Sequence, residues 1–418
     1  MNDDWKPFRL KDICEQITDG KHGDCMNEPS SGYFFLSAKD LWNGRINYES
    51  ARQITAADFA ETHKRTKFEP SDILFTNSGT IGRMAIAKNE PRTHRTTFQK
   101  SVAILKANQR FVEPHFLYYL LLSENRRLSD FAAGTAQKNL LLKDLRDFRV
   151  SIPSRSIQCR MAEILSAYDD LIENNTRRIQ ILEEMTRRIY EEWFVRFRFP
   201  GHENIRMIRT ELGLIPDGWE TGSLSRLTTL KRVNINPSRF ANEDFDHFSI
   251  PAFDDRRLPA VELGNMIRSN KYLVYSGHIL MSKLNPRIQR VWLVPEGGNR
   301  RKIASTEFLV LEAAGKFDPV FIYSLCTSDM FYRQFATLAF GTSTSHQRVK
   351  PEDLNTLKVL IPSPTVAKNF SDIANPIFEH VQCLITKNLS LTKSRDLLLP
   401  KLISGEINVS NFPEPVSD

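Results

Sequence analysis

The sequence predicts an α+β fold in which two similar globular α/β modules are separated by two long antiparallel helices that pair as a coiled coil. The first observation behind this prediction is an internal repeat, because most of the N-terminal half recurs with diverged side chains in the C-terminal half. The second is that each copy passes through Ile-Pro-Ser into a long segment with heptad-like apolar spacing. A chain duplicated in this way is expected to have pseudo-two-fold symmetry and to suit a partner that also has two parts.

The repeat is visible in short matched segments that keep the same order in both halves. They are Trp5 with Trp219, Leu10 with Leu224, Asp72–Leu74 with His278–Leu280, Gly134 with Gly341, and Val150–Ser154 with Val359–Ser363.

Each module mixes strand and helix signals, which is why an α+β class is predicted. In the first module, residues 1–153, the strand-like runs are 72–75, 83–87 and 101–105, and a helical pattern covers 114–128. In the second module, residues 219–362, the corresponding strands are 279–281, 290–294 and 308–311, with a helical pattern over 318–340.

A long helix is predicted after each module, over residues 154–197 and 363–403, with a linker at 198–218 and a tail at 404–418. Both apolar seams contain two consecutive four-residue steps at the same place, a heptad irregularity that indicates duplication rather than chance. Each seam spans roughly 55 Å at about 1.5 Å per residue. The seams are Ile157, Met161, Ile164, Tyr168, Ile172, Asn175, Ile179, Leu182, Thr186, Ile189 and Trp193, and Val366, Phe370, Ile373, Ile377, Val381, Leu384, Asn388, Leu391, Arg395, Leu398 and Leu402.

Chain connectivity predicts an antiparallel pair, because the second module follows the end of the first helix and the second helix starts where that module ends. Asn175 and Asn388 fall in the seams. A buried Asn can fix the register of a coiled coil, while a solvent-facing seam position is the alternative interpretation.

Composition and charge limit the function classes without choosing one. The chain has 418 residues and a formal net charge of +7, which permits a polyanionic partner without requiring one. Its five cysteines are odd in number, scattered and without a Cys-x-x-Cys pair, which favours a reducing compartment and argues against disulfides or a zinc site. Neither a signal sequence nor a membrane-spanning run is visible, so a cytoplasmic protein without a membrane partner is expected.

No catalytic motif stands out. The sequence has no G-x-G-x-x-G, no phosphate-binding P-loop, no H-E-x-x-H and no G-x-S-x-G. Asp254, Asp255 and Glu262 resemble an acidic metal cluster only faintly, and a solvated acidic loop is the favoured interpretation. We therefore expect no catalytic residue, bound metal or cofactor in this chain.

Two basic stretches at matching places are the main candidates for DNA contact. Arg, Gln and Asn can pair with base edges, and Lys and Arg neutralise phosphates. The alternative is a pair of solvated loops between strands. The first stretch contributes Arg83, Lys88, Arg92, Arg95 and Lys100, and the second contributes Arg287, Gln289, Arg290, Arg300, Arg301 and Lys302.

Three kinds of polar loop complete the candidate DNA-binding set. In each module one loop that begins with glycine follows the helical pattern. An ordinary helix C-cap followed by a connecting segment explains these loops equally well. A third loop, Thr18–Gly23, and the turn Thr76–Gly82 occur in the first module. The candidates in these loops are Lys21, His22, Asn77, Ser78, Thr135, Gln137, Lys138, Thr342, Ser343, Gln347 and Arg348.

At this point the chain resembles, over nearly its whole length, the specificity subunit of type I restriction-modification systems. Each motif is weak by itself, but their order in a tandem repeat with paired long helices is specific. The motifs that carry the resemblance are Ile17–Gly23, Gly79–Gly82, the Gly-Thr pairs at Gly134 and Gly341, the Ile-Pro-Ser sequences at Ile152 and Ile361, Leu212–Glu220 and Leu398–Ile407.

The resemblance implies that each module is a target recognition domain that reads one half of a bipartite DNA sequence. The helices would space the modules and dock two methyltransferase subunits, joined by restriction and translocase subunits where these exist. The chain would not be an enzyme by itself, and S-adenosylmethionine, ATP and Mg²⁺ would be bound by the partner subunits. The second module lacks the Asp-Gly-Lys-His loop and has Leu284-Asn285-Pro286 near the equivalent of Asn77–Gly79, so two different half-sites are expected.

The resemblance and the helix length together suggest a geometric mechanism. Major-groove sites on one face of B-DNA recur about every 34–36 Å, so a helical rod of roughly 55 Å could hold two readers a turn or more apart. The main alternative is an orphan sequence-specific regulator without enzyme partners. A self-contained methylase or nuclease and a coiled-coil scaffold that never binds nucleic acid are the other rival classes.

Overall fold

The computed structural model describes residues 5–42, 44–132, 139–210, 213–340 and 347–409. It divides into two compact units, of which unit 1 comprises Met1–Glu173 with Leu389–Asp418 and unit 2 comprises Asn174–Asn388. The predicted organisation treated each long helix as a separate segment. In the structure each unit instead contains part of both helices, because their apolar faces are buried in the hydrophobic cores of the units.

Unit 1 combines strands and helices, as the α+β prediction requires. Its strands are β1 (Lys6–Arg9), β2 (Cys14–Asp19), β3 (Phe34–Leu36), β4 (Leu41–Trp42), β5 (Arg45–Ile46), β6 (Arg52–Gln53), β7 (Ile73–Thr76), β8 (Met84–Ile86), β9 (Thr96–Phe98), β10 (Val102–Ala107) and β11 (Arg149–Ile152). Its helices are α1 (Leu10–Ile13), α2 (Ala56–Thr66), α3 (Pro114–Ser123), α4 (Asn125–Asp130), α5 (Leu142–Asp147), the first part of α6 (Arg155–Tyr190) and the last part of α10 (Pro364–Ile403).

The main sheet of unit 1 has four antiparallel strands in the order β2-β10-β7-β8. The strands β7 and β10 are almost fully buried, which fits their continuous apolar runs. A second sheet has the order β6-β3-β9, with β3 and β9 parallel. The strand β1 pairs with β11 just before the long helix begins.

Unit 2 repeats this arrangement with a larger second sheet. Its strands are β12 (Met207–Thr210), β13 (Gly213–Pro216), β14 (Glu220–Ser223), β15 (Thr228–Lys231), β16 (Asn234–Ile235), β17 (Asp244–Phe248), β18 (Ala260–Leu263), β19 (Lys271–Val274), β20 (Ile279–Ser282), β21 (Val291–Leu293), β22 (Arg301–Ala304), β23 (Phe308–Ala313) and β24 (Lys358–Ile361). Its helices are α7 (Ile250–Arg256), α8 (Pro319–Thr327), α9 (Asp329–Thr337), the last part of α6 and most of α10 (Pro364–Ile403).

The internal repeat is visible in the topology of the two units. The main sheet of unit 2 has the order β15-β23-β20-β21, which matches β2-β10-β7-β8 strand for strand. Its second sheet, β16-β19-β22-β17-β18, again contains a parallel pair, β17 with β22. The strand β14 pairs with β24 as β1 pairs with β11.

The predicted helices over 114–128 and 318–340 are each two helices. In unit 1 the break falls at Glu124, whose ψ of 4° is not helical. In unit 2 Ser328 adopts an extended conformation and its hydroxyl accepts a hydrogen bond from the Phe331 N–H, so it caps α9. Apolar periodicity continues across both breaks, and it therefore could not reveal them.

The two long helices run antiparallel within each unit. In unit 1 Asp169 of α6 forms an ion pair with Arg395 of α10, and Leu165 shares a core with Leu399. In unit 2 Asn175 lies beside Asn388, whereas Tyr190 packs against Phe370. Residue numbers rise along one helix as they fall along the other, as the connectivity argument predicts.

The segment predicted as a linker, 198–218, is part of the unit 2 fold. It contains the β12–β13 hairpin, and Phe199 and Ile215 are buried in the unit 2 core. The Phe199 ring stacks on Trp219 with centroids 5.1 Å apart. Its prolines and glycines mark the ends and turn of a hairpin rather than a free connection.

The predicted seam residues Asn175 and Asn388 contact each other. The Asn175 amide donates to Asn388 Oδ1 at 2.9 Å, and the Asn388 amide donates to Thr176 Oγ1 at 3.3 Å. Among the two interpretations left open by the sequence, this geometry favours a register-fixing pair.

Asn388→Leu is expected to lower the free energy of unfolding by about 1 kcal/mol, because the half-buried Asn175 amide loses its partner. The double variant Asn175→Leu/Asn388→Leu should regain that stability or exceed the wild type, because both polar groups are gone. Urea unfolding of the four proteins of this cycle measures the coupling. Strictly additive effects of the two substitutions would show that the amides do not act as a pair.

Candidate nucleic-acid interface

Three loops of unit 1 meet at one end of the main sheet, which we call the loop end. They are residues 20–23 after β2, residues 77–82 after β7 and residues 99–101 before β10. The Lys100 N–H donates to the Lys21 carbonyl at 3.0 Å, and the Asn77 N–H donates to the Ser101 carbonyl at 3.1 Å. The antiparallel register of β2, β10 and β7 places these three loops at the same edge of the sheet.

Unit 2 has an equivalent loop end at the same edge of its main sheet. The loop 283–290 follows β20, residues 305–307 precede β23, and residues 347–349 lie beside both. The Lys283 N–H donates to the Glu307 carbonyl at 2.9 Å, and the Asn285 N–H donates to the Gln347 carbonyl at 2.8 Å. The two copies therefore present corresponding surfaces, and the side chains on them differ.

Backbone requirements fix the shape of these loops. A side chain at Gly20 would place its Cβ 1.8 Å from the Phe98 carbonyl oxygen, so only glycine allows the first and third loops to touch. Gly79 and Asn285 occupy corresponding positions and both have positive φ, 77° and 49°. Glycine and asparagine are the residues that tolerate this conformation best, so asparagine can replace glycine at this position in the second module.

Six of the predicted DNA-contact residues come together at the loop end of unit 1. They are Lys21, His22, Asn77, Ser78, Arg83 and Lys100. His22 and Lys100 are exposed and Ser78 is half-buried. The hydrogen bonds from Lys21 Nζ to Asp58 at 3.0 Å and to Glu61 at 3.1 Å raise the pKa of the ammonium above its usual value. Lys21 is thus cationic but already paired.

Asn77 departs from its predicted role. Its side chain is buried, and its backbone holds the loop end together, with its carbonyl accepting a hydrogen bond from the Leu140 N–H at 2.8 Å. A buried amide of this kind shapes the loop and is poorly placed to read a base edge, because the edges of buried groups are not accessible to DNA.

The remaining residues of the first basic stretch lie elsewhere in unit 1. The strand β8 carries the chain to the opposite end of the sheet, where Lys88 pairs with Glu173. Arg92 pairs with Glu90 at 3.2 Å, and its guanidinium lies 4.7 Å from the Tyr48 ring centroid. Arg95 is exposed in the turn before β9. A stretch that is continuous in sequence is thus split by one strand into two surfaces.

The loop end of unit 2 holds Arg287, Gln289, Arg290, Gln347 and Arg348. Arg287 is exposed, and the described residues include no ion-pair partner for it. Gln289 is exposed, but its side-chain amide donates to the Thr327 carbonyl at 2.8 Å. Gln347 is half-buried, and Arg348 pairs with Glu307 at 3.2 Å.

The structure gives Arg290 a partner within the protein, and its DNA contact stays a prediction. Its side chain is buried, and Nε and Nη2 donate to the two carboxylate oxygens of Asp254 at 2.6 and 2.8 Å. All the directional donors that would fit a guanine edge on that side are engaged by the carboxylate. The same contact assigns Asp254 to an ion pair, not to a metal cluster.

Arg300, Arg301 and Lys302 lie at or near the start of β22, away from the loop 283–290. Arg300 pairs with Asp246 at 2.7 Å. Arg301 Nε donates to Glu243 at 2.5 Å, and this carboxylate raises the pKa of the guanidinium. Lys302 donates to the Pro295 carbonyl at 2.7 Å, while burial lowers the pKa of its ammonium. These cations serve the second sheet of unit 2, which corrects their grouping with Arg287.

The predicted contacts Thr135, Gln137, Lys138, Thr342 and Ser343 lie outside the described residues, as do Gly134 and Gly341. Their proposed roles stay predictions. Two described residues next to them lie at the loop ends. Asn139 forms a β-bridge with Ser78 in unit 1, and the Gln347 carbonyl accepts a hydrogen bond from the Asn285 N–H in unit 2.

Trp42 is a surface residue at the loop end of unit 1 that is absent from the predicted DNA-contact residues. It ends β4, next to β8, and the Arg83 guanidinium lies 4.5 Å from its ring centroid. The Asn43-Gly44 pair directly after it is a hairpin-turn signal, which could have indicated an exposed aromatic residue at a turn.

Within the described ranges, no group of three or more His, Cys, Asp or Glu side chains is arranged to hold a metal ion. None of the helices in those ranges combines the length and apolar character that a membrane span needs.

The fold repeats one α+β module, and each copy has a corresponding loop end, as expected for a protein with two DNA-reading modules. Residues 2–184 match the family model of the type I restriction modification DNA specificity domain. The resemblance to type I specificity subunits, predicted from the sequence, is confirmed.

Relatives that match nearly the whole chain agree with this family. The specificity subunit of the type I restriction enzyme MjaIX from Methanocaldococcus jannaschii is 26% identical over 98% of this chain and 95% of its own length. The HindI specificity subunit from Haemophilus influenzae is 20% identical over 97% of this chain and 100% of its own length. The crystal structure of a type I restriction-modification S subunit from M. genitalium covers 96% of this chain and 97% of its own, with a TM-score of 0.60 at 15% identity, and shows that the two share a fold.

Proposed function

We propose that this chain is the DNA sequence-specificity subunit of a type I restriction-modification complex. Each unit reads one half of a bipartite DNA site through its loop end. The observation that carries the proposal is the correspondence of the two loop ends, which keep the same backbone connections but carry different side chains. Asn77-Ser78-Gly79 in unit 1 is answered by Lys283-Leu284-Asn285 in unit 2. Similar frames with different side chains suit two different half-sites.

The finer parts of the proposal concern partners. The long helices α6 and α10 space the half-sites and dock two methyltransferase subunits, with restriction subunits where the system has them. S-adenosylmethionine, ATP and Mg²⁺ are bound by those partners, and this chain contributes recognition rather than chemistry. The family comparisons support this reading over that of an orphan regulatory protein.

Co-expression with the methyltransferase subunit of the same system, followed by single-molecule mapping of methylated bases, tests the function. We expect a bipartite motif with a fixed gap and two unlike halves, and the motif should disappear when this chain is omitted. Methylation at the same sites without the chain, or a contiguous motif, would contradict the proposal.

The salt dependence of DNA affinity tests the interface itself. Replacing Lys100 by alanine should reduce the slope of log affinity against log salt by about 0.9 if this side chain neutralises one phosphate. Lys88→Ala is the matched control, because Lys88 is at the opposite sheet end and pairs with Glu173. Equal slopes for wild type and Lys100→Ala would place the phosphate contacts of unit 1 elsewhere.

A further inference from the structure

The indole of Trp42 is the most exposed tryptophan side chain for which the structure gives a value, at 49% of its accessible surface, whereas Trp193, Trp219 and Trp292 are buried. One face is covered by the Arg83 guanidinium. Arg83 is itself held in place, because Nη1 donates to the Ala38 carbonyl at 3.3 Å and to the Leu41 carbonyl at 3.5 Å. The ring is therefore supported from one side by a fixed cation.

The corresponding arginine of unit 2 is used differently. The Thr76 N–H donates to the Arg83 carbonyl at 2.8 Å, and the Ser282 N–H donates to the Arg290 carbonyl at 2.9 Å, so both arginines occupy the same backbone position. Arg290 is bound by Asp254 and presents no aromatic ring. The nearby Trp292 is buried between Phe248 and Phe253, with centroids 4.7 and 5.3 Å away.

Position and chemistry together restrict what can cover Trp42. Arg83 immediately precedes β8, whose first residue pairs with Phe75 near the end of β7, so the pair lies at the loop end of unit 1. A flat apolar ring at the same end of the sheet as the exposed His22 and Lys100 suits a ligand that is planar, aromatic and attached to anions. Nucleobases on a phosphate backbone have these properties, and they stack on aromatic side chains with little dependence on sequence.

We propose that Trp42, supported by Arg83, is a stacking platform for one nucleobase of the DNA bound at the loop end of unit 1. The inference rests on the proposed function and deepens it. A base takes the free face only when it has lost a stacking neighbour in the duplex, as happens where a protein wedge separates base steps. At the position of unit 2 that corresponds to Arg83, Arg290 supports no exposed ring, so the platform of unit 1 is not repeated at that position.

The test uses the full chain with a mixed-sequence 15-nucleotide single strand, whose bases are already unstacked, and the matching duplex. We expect Trp42→Ala to weaken single-strand binding at least about fivefold and Trp42→Phe to retain most of the affinity. Binding should quench tryptophan fluorescence in the wild type, and Trp42→Phe should lose most of that quenching. The phenylalanine variant keeps the ring and the fold, so this readout holds even if the alanine variant is unstable.

Phe111→Ala is the matched control. Phe111 is 47% exposed, lies in the same unit and follows β10 at the opposite sheet end. Its removal should change neither affinity nor quenching. Wild-type affinity in Trp42→Ala, together with undiminished quenching in Trp42→Phe, would overturn the platform while leaving the proposed function intact. A wild-type chain that binds neither oligonucleotide, even at low salt, would overturn both.

Discussion

Replacing Phe370 by alanine is expected to lower the free energy of unfolding of unit 2 by about 3–5 kcal/mol. Phe370 is fully buried at the start of α10 and lies at the centre of an aromatic cluster. Its ring contacts Tyr190, Trp193, Phe194 and Phe321 with centroid distances of 5.8, 6.2, 5.3 and 6.4 Å. Truncation removes the ring and leaves a cavity between both long helices and α8.

Ile373→Ala is the control on the same helix. Ile373 is 42% exposed, so its truncation should change stability by no more than about 0.5 kcal/mol. Urea unfolding followed by tryptophan fluorescence measures both variants, because Trp193, Trp219 and Trp292 are all buried in unit 2. Equal losses of stability in the two variants would mean that the heptad seam, and not the aromatic cluster, holds the helix.

This pair of residues also shows where the sequence pattern fails. The heptad count predicts that Phe370 and Ile373 both face the partner helix. In the structure the buried side chains at the start of α10 are Ala367, Phe370, Ser371 and Ala374. The reason is that this part of the helix packs against α8 as well as α6, so its buried face is wider than one seam and centred differently. Nearer the middle of the helix, Val381, Leu384 and Asn388 follow the predicted seam.

The duplication could be predicted because matched segments survive in the sequence. The ion pairs that correspond between the two units could not be predicted. The matched residues Asp72 and His278 both precede an inner strand of the main sheet. Asp72 forms an ion pair with Lys106 at 2.5 Å, and burial raises the pKa of its carboxyl to about 6. His278 lies 3.8 Å from Glu312, with burial lowering its pKa. The acid precedes the strand in unit 1 and lies on the opposing strand in unit 2, and only the cross-strand register reveals that the two pairs correspond.

Only part of the candidate interface could be predicted, because the sequence shows where cations are but not which side chains bind them. Charge in the sequence located the arginines, but it does not show whether a carboxylate already binds them. Arg83, Lys100 and Arg287 are at the loop ends, whereas Lys88 and Lys302 were carried to the opposite sheet end by a single intervening strand. A strand of three residues spans about 10 Å, so basic residues on either side of it lie at opposite ends of the sheet.

Two arginines of one loop are expected to give opposite results when each is replaced by alanine. Arg290→Ala should lower the free energy of unfolding of unit 2 by about 2 kcal/mol, since it removes a buried bidentate ion pair. The loss is kept moderate because Asp254 is 46% exposed and stays hydrated when its partner is gone. The variant should leave the salt dependence of DNA binding unchanged.

Arg287→Ala should do the reverse. Its side chain is exposed, so stability should change by less than about 0.5 kcal/mol. If Arg287 neutralises a phosphate, the slope of log affinity against log salt should fall by about 0.9. Asp254→Asn completes the set, because it weakens the partner of Arg290 without touching any cation, and its stability loss should not add to that of Arg290→Ala. If Arg290→Ala instead reduced the slope of log affinity against log salt and left stability unchanged, Arg290 would be a DNA contact. Its ion pair with Asp254 would then exist only in the protein without DNA.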